Sequence, residues 1–248
     1  MRKTVLITGA SRGIGAATAL RLATDGYDVA INYHQDKSAA RKIVAKIHTL
    51  GKEAKALKAD VSDETQVVDL FHRFEDNFGQ LNALVNNTGI LFTKCRVIDM
   101  TADRINSTLQ TNVTGAMICA REAVKRMSTT NGGSGGGIVN VSSAAARLGS
   151  ANEFVDYAAS KGAMDTFTIG LANEISDEGI RVNAVRPGLI HTDIHAAAGE
   201  PGRIERLKSI LPIKRGGTPE EVAAAISWLL SDESSYCTGT FIDVSGGR

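Results

Sequence analysis

Short apolar, β-branched runs alternate with longer helix-patterned stretches along almost the whole chain, and this alternation constrains the fold more than any other feature. Strand-like runs cover residues 3–8, 28–33, 54–59, 82–86, 137–142, 180–186 and 239–243, and helix-like patterns cover 13–25, 36–50, 64–78, 102–128, 153–178 and 219–231. Strands separated by helices pair in parallel when each helix crosses back over a sheet face, which predicts an α/β fold with helices on both faces. Residues 81–85 and 138–141 are mostly apolar, as strands buried on both sides require. In such sheets ligands bind beyond the carboxyl ends of the strands, near the point where strand order reverses. Polar or turn-forming residues stand at those ends. They are the glycine loop 9–15, Asp60-Val61, Asn86-Asn87-Thr88-Gly89, Ser142-Ser143 and Pro187-Gly188.

The first of these ends has the chemistry of a phosphate cradle. The run Thr4-Val5-Leu6-Ile7-Thr8 leads into Gly9-Ala10-Ser11-Arg12-Gly13-Ile14-Gly15 and then into an alanine-rich helical stretch. Glycines let the backbone approach a pyrophosphate, while a helix N-terminus offers free N–H groups and a positive dipole. The spacing is T-G-x-x-x-G-x-G, with two more residues between the first glycine and the last pair than in the familiar G-x-G-x-x-G. Its place between the first strand and the first helix strengthens the assignment.

Tyr157 and Lys161 carry acid–base chemistry. In a helix, residues i and i+4 lie one turn apart on one face, so a phenol and an ammonium stand side by side. An unperturbed tyrosine has a pKa of ~10. A fixed neighbouring cation is expected to lower it and make the phenol a usable acid or base near neutrality. Tyrosine–lysine pairs at this spacing also occur on ordinary solvated helix surfaces, so the rest of the chain decides their meaning.

Bulk properties narrow the field. A chain of 248 residues without a proline-, serine- or charge-rich linker is read as one domain spanning 1–248. Its 28 basic and 27 acidic residues nearly cancel, and no basic stripe argues for a nucleic-acid partner. No apolar run approaches the ~18 residues of a membrane span, and Met1-Arg2-Lys3 leads straight into a strand instead of a signal peptide. Cys95, Cys119 and Cys237 are odd in number and widely spaced, which suits free thiols in a reducing cytoplasm. His191 and His195 share the i,i+4 spacing of a zinc helix, but no glutamate follows His191 and no third ligand is evident, so no metal is assigned. The glycine-rich stretch 131–137 precedes a strand and is read as a flexible connector away from the active edge.

Taken together, Thr8-Gly9-Ala10-Ser11-Arg12-Gly13-Ile14-Gly15, Asp60-Val61, Asn86-Asn87-Thr88-Gly89, Asn112, Ser142-Ser143, Tyr157 with Lys161, and Pro187-Gly188 resemble, in order and over the whole length, the short-chain dehydrogenase/reductase family. The stretch 141–162 is similar to both the glucose-dehydrogenase-like and the 3-oxoacyl carrier-protein reductase branches. The resemblance implies a Rossmann-like, doubly wound sheet of seven parallel strands. It also implies that Tyr157 exchanges a proton with the substrate oxygen, and that Lys161 tunes Tyr157 and holds the nicotinamide ribose. Ser143 would stabilise charge on the substrate oxygen, and Asn112 would hold a water that extends the proton path. The hydride belongs to the nicotinamide. Two departures stand out. Thr88 replaces the family's alanine, and Ser143 lies 14 residues before Tyr157, one more than the common spacing. Ser142 is the fallback serine, though it should point to the opposite side of a continuing strand.

A carboxylate at the end of the second strand would bind the adenosine 2′-hydroxyl and repel a 2′-phosphate. The residues there are Asn32, Tyr33, His34 and Gln35, and Asp36 comes late enough to cap the next helix. Arg12 sits where the resemblance places a 2′-phosphate contact, so NADP(H) is favoured over NAD(H); an ordinary surface arginine is the competing reading. Asp60 would accept from the adenine amino group or cap a helix beginning near Ser62. By the resemblance, the cofactor also meets Gly9, Ser11, Gly13, Ile14, Gly15, Val61, Asn87, Gly89, Pro187, Gly188, Ile190 and Thr192, the last of which has helix capping as its alternative. Residues 190–215 read as a substrate lid, with Phe92, Glu153, Phe154, His191 and His195 as candidate selectors. The expected substrate is a small carbonyl or alcohol, with a 3-oxoacyl thioester as one alternative and a non-catalytic redox sensor as another. The family resemblance implies a homodimer or homotetramer.

Overall fold

The computed structural model describes residues 3–248; Met1 and Arg2, which precede the first strand, lie outside the described residues. In chain order the elements are β1 (Lys3–Ile7), α1 (Gly13–Thr24), β2 (Tyr27–Tyr33), α2 (Lys37–Thr49), β3 (Ala54–Lys58), α3 (Glu64–Phe78) and β4 (Ala83–Asn86). They continue with α4 (Ala102–Leu109), α5 (Gly115–Met127), β5 (Gly136–Val141), α6 (Ala145–Leu148), α7 (Val155–Glu174) and β6 (Ile180–Pro187). The last are α8 (Ile194–Ala197), α9 (Arg203–Leu207), α10 (Pro219–Leu230) and β7 (Phe241–Val244). The strands form one seven-stranded sheet in the order β3-β2-β1-β4-β5-β6-β7, and every pairing is parallel.

Strand periodicity explains the two layers. Along β1, Val5 and Ile7 point to one face, where they join Val29, Ile31, Leu22, Val222 and Ile226 in one core. Leu6 points to the other, with Ala30, Leu84, Ile138, Phe71 and Phe74. Both faces are therefore dry, which is why these strands carry apolar residues at consecutive positions. Each such side chain, fully buried, contributes about 1.5–3 kcal/mol. Strand order reverses direction between β1 and β4, so the crossover connections leave in opposite senses there and the strand ends stay open.

Local chemistry sets the helix starts. Asp36 Oδ1 accepts from the Ala39 N–H at 2.8 Å and caps α2. The next helix, α3, starts at Glu64 as its pattern predicts, but Asp60 does not cap it: Asp63 does, accepting from Thr65 N and Gln66 N. Asp60 instead builds the preceding turn, accepting from Ser62 N at 2.9 Å and Ser62 Oγ at 2.7 Å. The expected helix 102–128 is interrupted by a π-helical turn over Gln110–Thr114, the kind of insertion that often re-aims a side chain at a functional site. The stretch 131–137, expected to be a flexible connector, forms a close-packed turn. A Cβ on Gly133 would collide with Met127 O, and one on Gly135 with Gly179 O.

Candidate active site

The carboxyl ends of the strands open into one cavity of about 740 Å³, a size typical of cofactor and substrate sites. The glycine loop forms one end. Gly9 has φ +61, a conformation that costs a residue with a Cβ. At Gly15 a Cβ would fall 2.6 Å from Asn87 Nδ2 and 2.8 Å from Ala10 Cα, so only glycine permits this packing. Asn87 braces the loop: its Nδ2 donates to Thr8 O at 2.8 Å and to Gly9 O at 3.1 Å. Asn32 does the same from β2, accepting from Gly9 N at 3.2 Å and donating to Ala59 O at 3.0 Å. Both asparagines border the cavity, but their side-chain amides hold the protein's own backbone.

Ser11, Arg12, Gly13 and Ile14 face the cavity where α1 begins, and the first N–H groups of that helix supply a cradle for anions. Tyr33, His34, Asp60 and Val61 complete this end. His34 Nε2 stands 3.6 Å from Asp60 Oδ2. A dinucleotide pyrophosphate fits this donor set: a glycine bend that a Cβ would obstruct, a helix N-terminus, and an arginine at the rim. Thr88, the departure from the family alanine, packs its hydroxyl 2.9 Å from the site of a Cβ on Gly9, and that hydroxyl is buried without a hydrogen-bond partner.

The other end carries Ser143, Tyr157 and Lys161. Ser143 and Tyr157 face each other across this end, where the serine favours ionisation of the phenol, and Ser143 Oγ accepts from Ala145 N at 3.1 Å. Lys161 Nζ donates to Val141 O at 2.7 Å and lies 5.6 Å from the centre of the Tyr157 ring. The fallback serine, Ser142, is committed elsewhere, donating to Asp165 Oδ1 at 2.6 Å. Between Ser143 and Tyr157, Ser150 and Asn152 adopt φ 48 and 62, both in the left-handed region that non-glycine residues seldom enter.

The expected lowering of the Tyr157 pKa is corrected. Burial pushes it up to about 12, and the neighbouring Ser143 only partly offsets this. Tyr157 keeps some surface on the cavity, but the atoms packed around it desolvate a phenolate. Lys161 is itself pushed down to about 8 by burial, against the pull of Asp165. An ammonium turned toward Val141 O does not offset the desolvation of its neighbour. The resting tyrosine is therefore protonated.

Asn112, on the π-helical turn, lies off the cavity wall. Its Oδ1 accepts from Ile90 N at 2.8 Å, and its Nδ2 donates to Ile90 O and to Ser160 Oγ, both at 3.1 Å. A Cβ on Gly89 would meet Lys161 Nζ at 3.5 Å and Asn112 Oδ1 at 3.6 Å, so the two side chains approach the same point. Gly15 also lies behind the wall, whereas Gly89, Pro187, Gly188, Ile190 and Thr192 lie on it. Thr192 does not cap α8, whose N-cap residue is Asp193.

Of residues 190–215, Ile190, Thr192, Asp193, Ile194, His195, Ala197 and Arg203 line the cavity. At one end Thr192 Cγ2 lies 3.3 Å from the position of a Cβ on Gly13, and farther along, a Cβ on Gly199 would touch Thr93 Cγ2 at 3.4 Å. Arg203 donates to Glu153 at 2.5 Å and Glu200 at 2.8 Å, and Arg206 donates to Glu153 at 3.0 Å. Arg203 also covers the Phe154 ring at 4.8 Å. Glu153, Phe154 and His195 reach the cavity, but Phe92 and His191 do not. Phe92 lies under Arg104 at 5.6 Å, and His191 Nε2 sits 2.8 Å from the position of a Cβ on Gly216. Among the described residues no cluster of histidine, cysteine or carboxylate side chains is arranged to hold a metal.

Two supports were not visible in the sequence. Arg104 forms a two-pronged pair with Asp156 at 2.7 and 3.2 Å and donates to Thr93 O at 2.6 Å, tying the loop after β4 to the start of the Tyr157 helix. Arg186 of β6 pairs with Asp165 of α7 at 2.9 Å. Each joins residues more than twenty positions apart, and neither end carries a local signature.

A family model described as enoyl-(acyl carrier protein) reductase matches residues 9–248. The oxidoreductase YgfF of Escherichia coli, described as uncharacterized, is 60% identical over 243 residues and 98% of each chain is covered. The chain belongs to the short-chain dehydrogenase/reductase family. Glucose 1-dehydrogenase 2 of Bacillus subtilis is 37% identical, with 99% of this chain and 94% of that one covered. A solved short-chain dehydrogenase of Burkholderia cenocepacia in complex with NADP superimposes with a TM-score of 0.90 at 36% identity, covering 99% of this chain and 97% of that one. As a short-chain dehydrogenase/reductase, the protein is an oxidoreductase of the class that acts on CH–OH groups with a nicotinamide cofactor.

Proposed function

We propose that this protein interconverts a carbonyl and a secondary alcohol using NADP(H). The observation that carries the reading is the hydroxyl pair Ser143–Tyr157 beside Lys161, at one end of a cavity whose other end is a glycine cradle with Arg12 at its rim. Bound there, the nicotinamide supplies or accepts the hydride. Ser143 orients the substrate oxygen by hydrogen bonding and stabilises the charge that develops on it. Tyr157, protonated at rest, delivers its proton to that oxygen in reduction and recovers it in oxidation. Lys161 places positive charge behind the tyrosine, and Asn112, from the π-helical turn, holds the loop at Ile90 and a water on the proton path.

Arg12 at the rim, and an Asp36 whose Oδ1 is engaged in capping α2, favour the 2′-phosphate of NADP(H). Residues 190–215 act as the lid, latched by Glu153 to Arg203 and Arg206. The chain works as a homodimer or homotetramer. A redox sensor would have no use for a tyrosine, a serine and a buried lysine gathered at the nicotinamide end.

Cofactor fluorescence and turnover of a panel of aldehydes, ketones, sugars and polyols test this reading. Arg12→Ala is expected to weaken NADPH binding about tenfold while leaving NADH binding unchanged, the scale of one lost charge-assisted contact. Tyr157→Phe is expected to keep NADPH affinity and lose at least ~100-fold in kcat. Turnover within a few-fold of the parent in Tyr157→Phe would remove the tyrosine from the chemistry.

A further inference from the structure

Behind the catalytic residues lies a second polar cluster that the mechanism does not use. Asp165 stands one helical turn beyond Lys161 on α7. Its Oδ1 accepts from Ser142 Oγ at 2.6 Å, and its Oδ2 accepts from Arg186 Nε at 2.9 Å. The Asp165 and Arg186 side chains are 13% and 16% exposed, so this is a nearly buried ion pair. Ser142 Oγ also lies 3.3 Å from Lys161 O, and Arg186 lies over the Phe241 ring at 3.9 Å. One carboxylate thus joins three elements: the end of β5, which leads into Ser143; α7, which carries Tyr157 and Lys161; and β6, which leads into Pro187-Gly188.

A buried ion pair seldom repays its desolvation as stability, so its location calls for another explanation. We propose that Asp165 is a positioning residue for the reaction: it clamps Ser142 and Arg186 to the catalytic helix, and it holds negative charge one turn from Lys161. The inference rests on the function proposed above in that Lys161 must act as a cation. The charged groups around the cluster are few. Asp165 is the charged group that acts on Lys161, with Tyr157 one turn earlier as the neighbouring titratable group. Arg186 of β6 faces Asp165, and Asp243 of β7 lies 4.0 Å beyond Arg186. Burial drives Lys161 toward the neutral amine, and Asp165 opposes that drive.

The two parts of the role separate by substitution. Asp165→Asn removes the charge and is expected to lower the Lys161 titration midpoint by roughly one pH unit. Arg186→Gln leaves the carboxylate but removes the cation that neutralises it, so the midpoint is expected to rise. Ser142→Ala breaks the clamp without changing charge, and is expected to lower kcat several-fold with the midpoint fixed. The midpoint is read directly from the pH dependence of the Lys161 Cε resonance in protein labelled with carbon-13 lysine, which needs no substrate. The alkaline limb of the kcat profile with NADPH and a ketone is then compared with it. Shifts of opposite sign in Asp165→Asn and Arg186→Gln, followed by the kinetic limb, support the proposal. If Asp165→Asn does not fold, the upward shift in Arg186→Gln still decides it. A Lys161 midpoint unmoved by either change overturns the proposal. Midpoint shifts in the variants of a parent that itself turns over no carbonyl instead remove the functional reading, and with it the role in catalysis.

Discussion

Lys161 is 3% exposed, and an ammonium buried that deeply costs stability unless it loses its proton. Its pKa is pushed down to about 8, while the unfolded chain holds that proton up to ~10.4. Between these values the unfolded state binds more protons than the folded one, so stability rises with pH across that window. We expect urea denaturation to show this rise from pH 8 to pH 10, and Lys161→Met to be more stable than the parent at pH 7 by on the order of 1–3 kcal/mol. A flat profile in the parent would show that the lysine is not desolvated as described. Tyr157 works the other way above pH ~10, where the unfolded phenol ionises. With its folded pKa raised to about 12, its contribution is lost as pH rises through that value. The pairing of these two residues was legible from their spacing alone, because helix geometry is local. The direction of the tyrosine shift was not legible. It depends on how densely β5 and the adjoining loops pack around the ring, and spacing along one helix carries no record of that.

At the level of elements, periodicity located all seven strands and the main helices, since burial on both faces forces apolar residues into consecutive positions. It missed the π-helical turn at Gln110–Thr114, because one inserted residue barely disturbs a 3.6-residue pattern. It also missed the clasp between α4 and α7, whose partners meet only after folding. Asp156 would be pushed up by burial, but the Arg104 guanidinium and backbone N–H groups hold its carboxyl below the usual range. Arg104→Ala leaves that carboxylate, 3% exposed, without its counter-ion. The expected cost is about 3–5 kcal/mol, seen as a lower urea midpoint and a raised KM as the loop at Thr93 loosens. The clasp operates above the unfolded aspartate pKa and is lost as pH falls through the lower folded value. Equal stability of variant and parent at neutral pH would show that the pair is no clasp.

Across the whole molecule, the helices α4, α5 and α7 leave Leu109, Met117 and Ile169 38%, 41% and 47% exposed, apolar surface of the kind that oligomers cover. We expect light scattering to give the mass of a homodimer or homotetramer, and Met117→Lys combined with Ile169→Lys to reduce it. A monomeric parent would overturn this. The reversal of strand order between β1 and β4 has a consequence beyond catalysis. The end of the cavity proposed for adenosine is lined by residues between 9 and 62, and the proposed reacting end mainly by residues between 143 and 203. The two are stretches of gene as well as regions of space. Changes confined to well-separated sites add instead of interfering. A lineage with this sheet can therefore exchange its dinucleotide by altering one half of the coding sequence while selection refashions the substrate in the other.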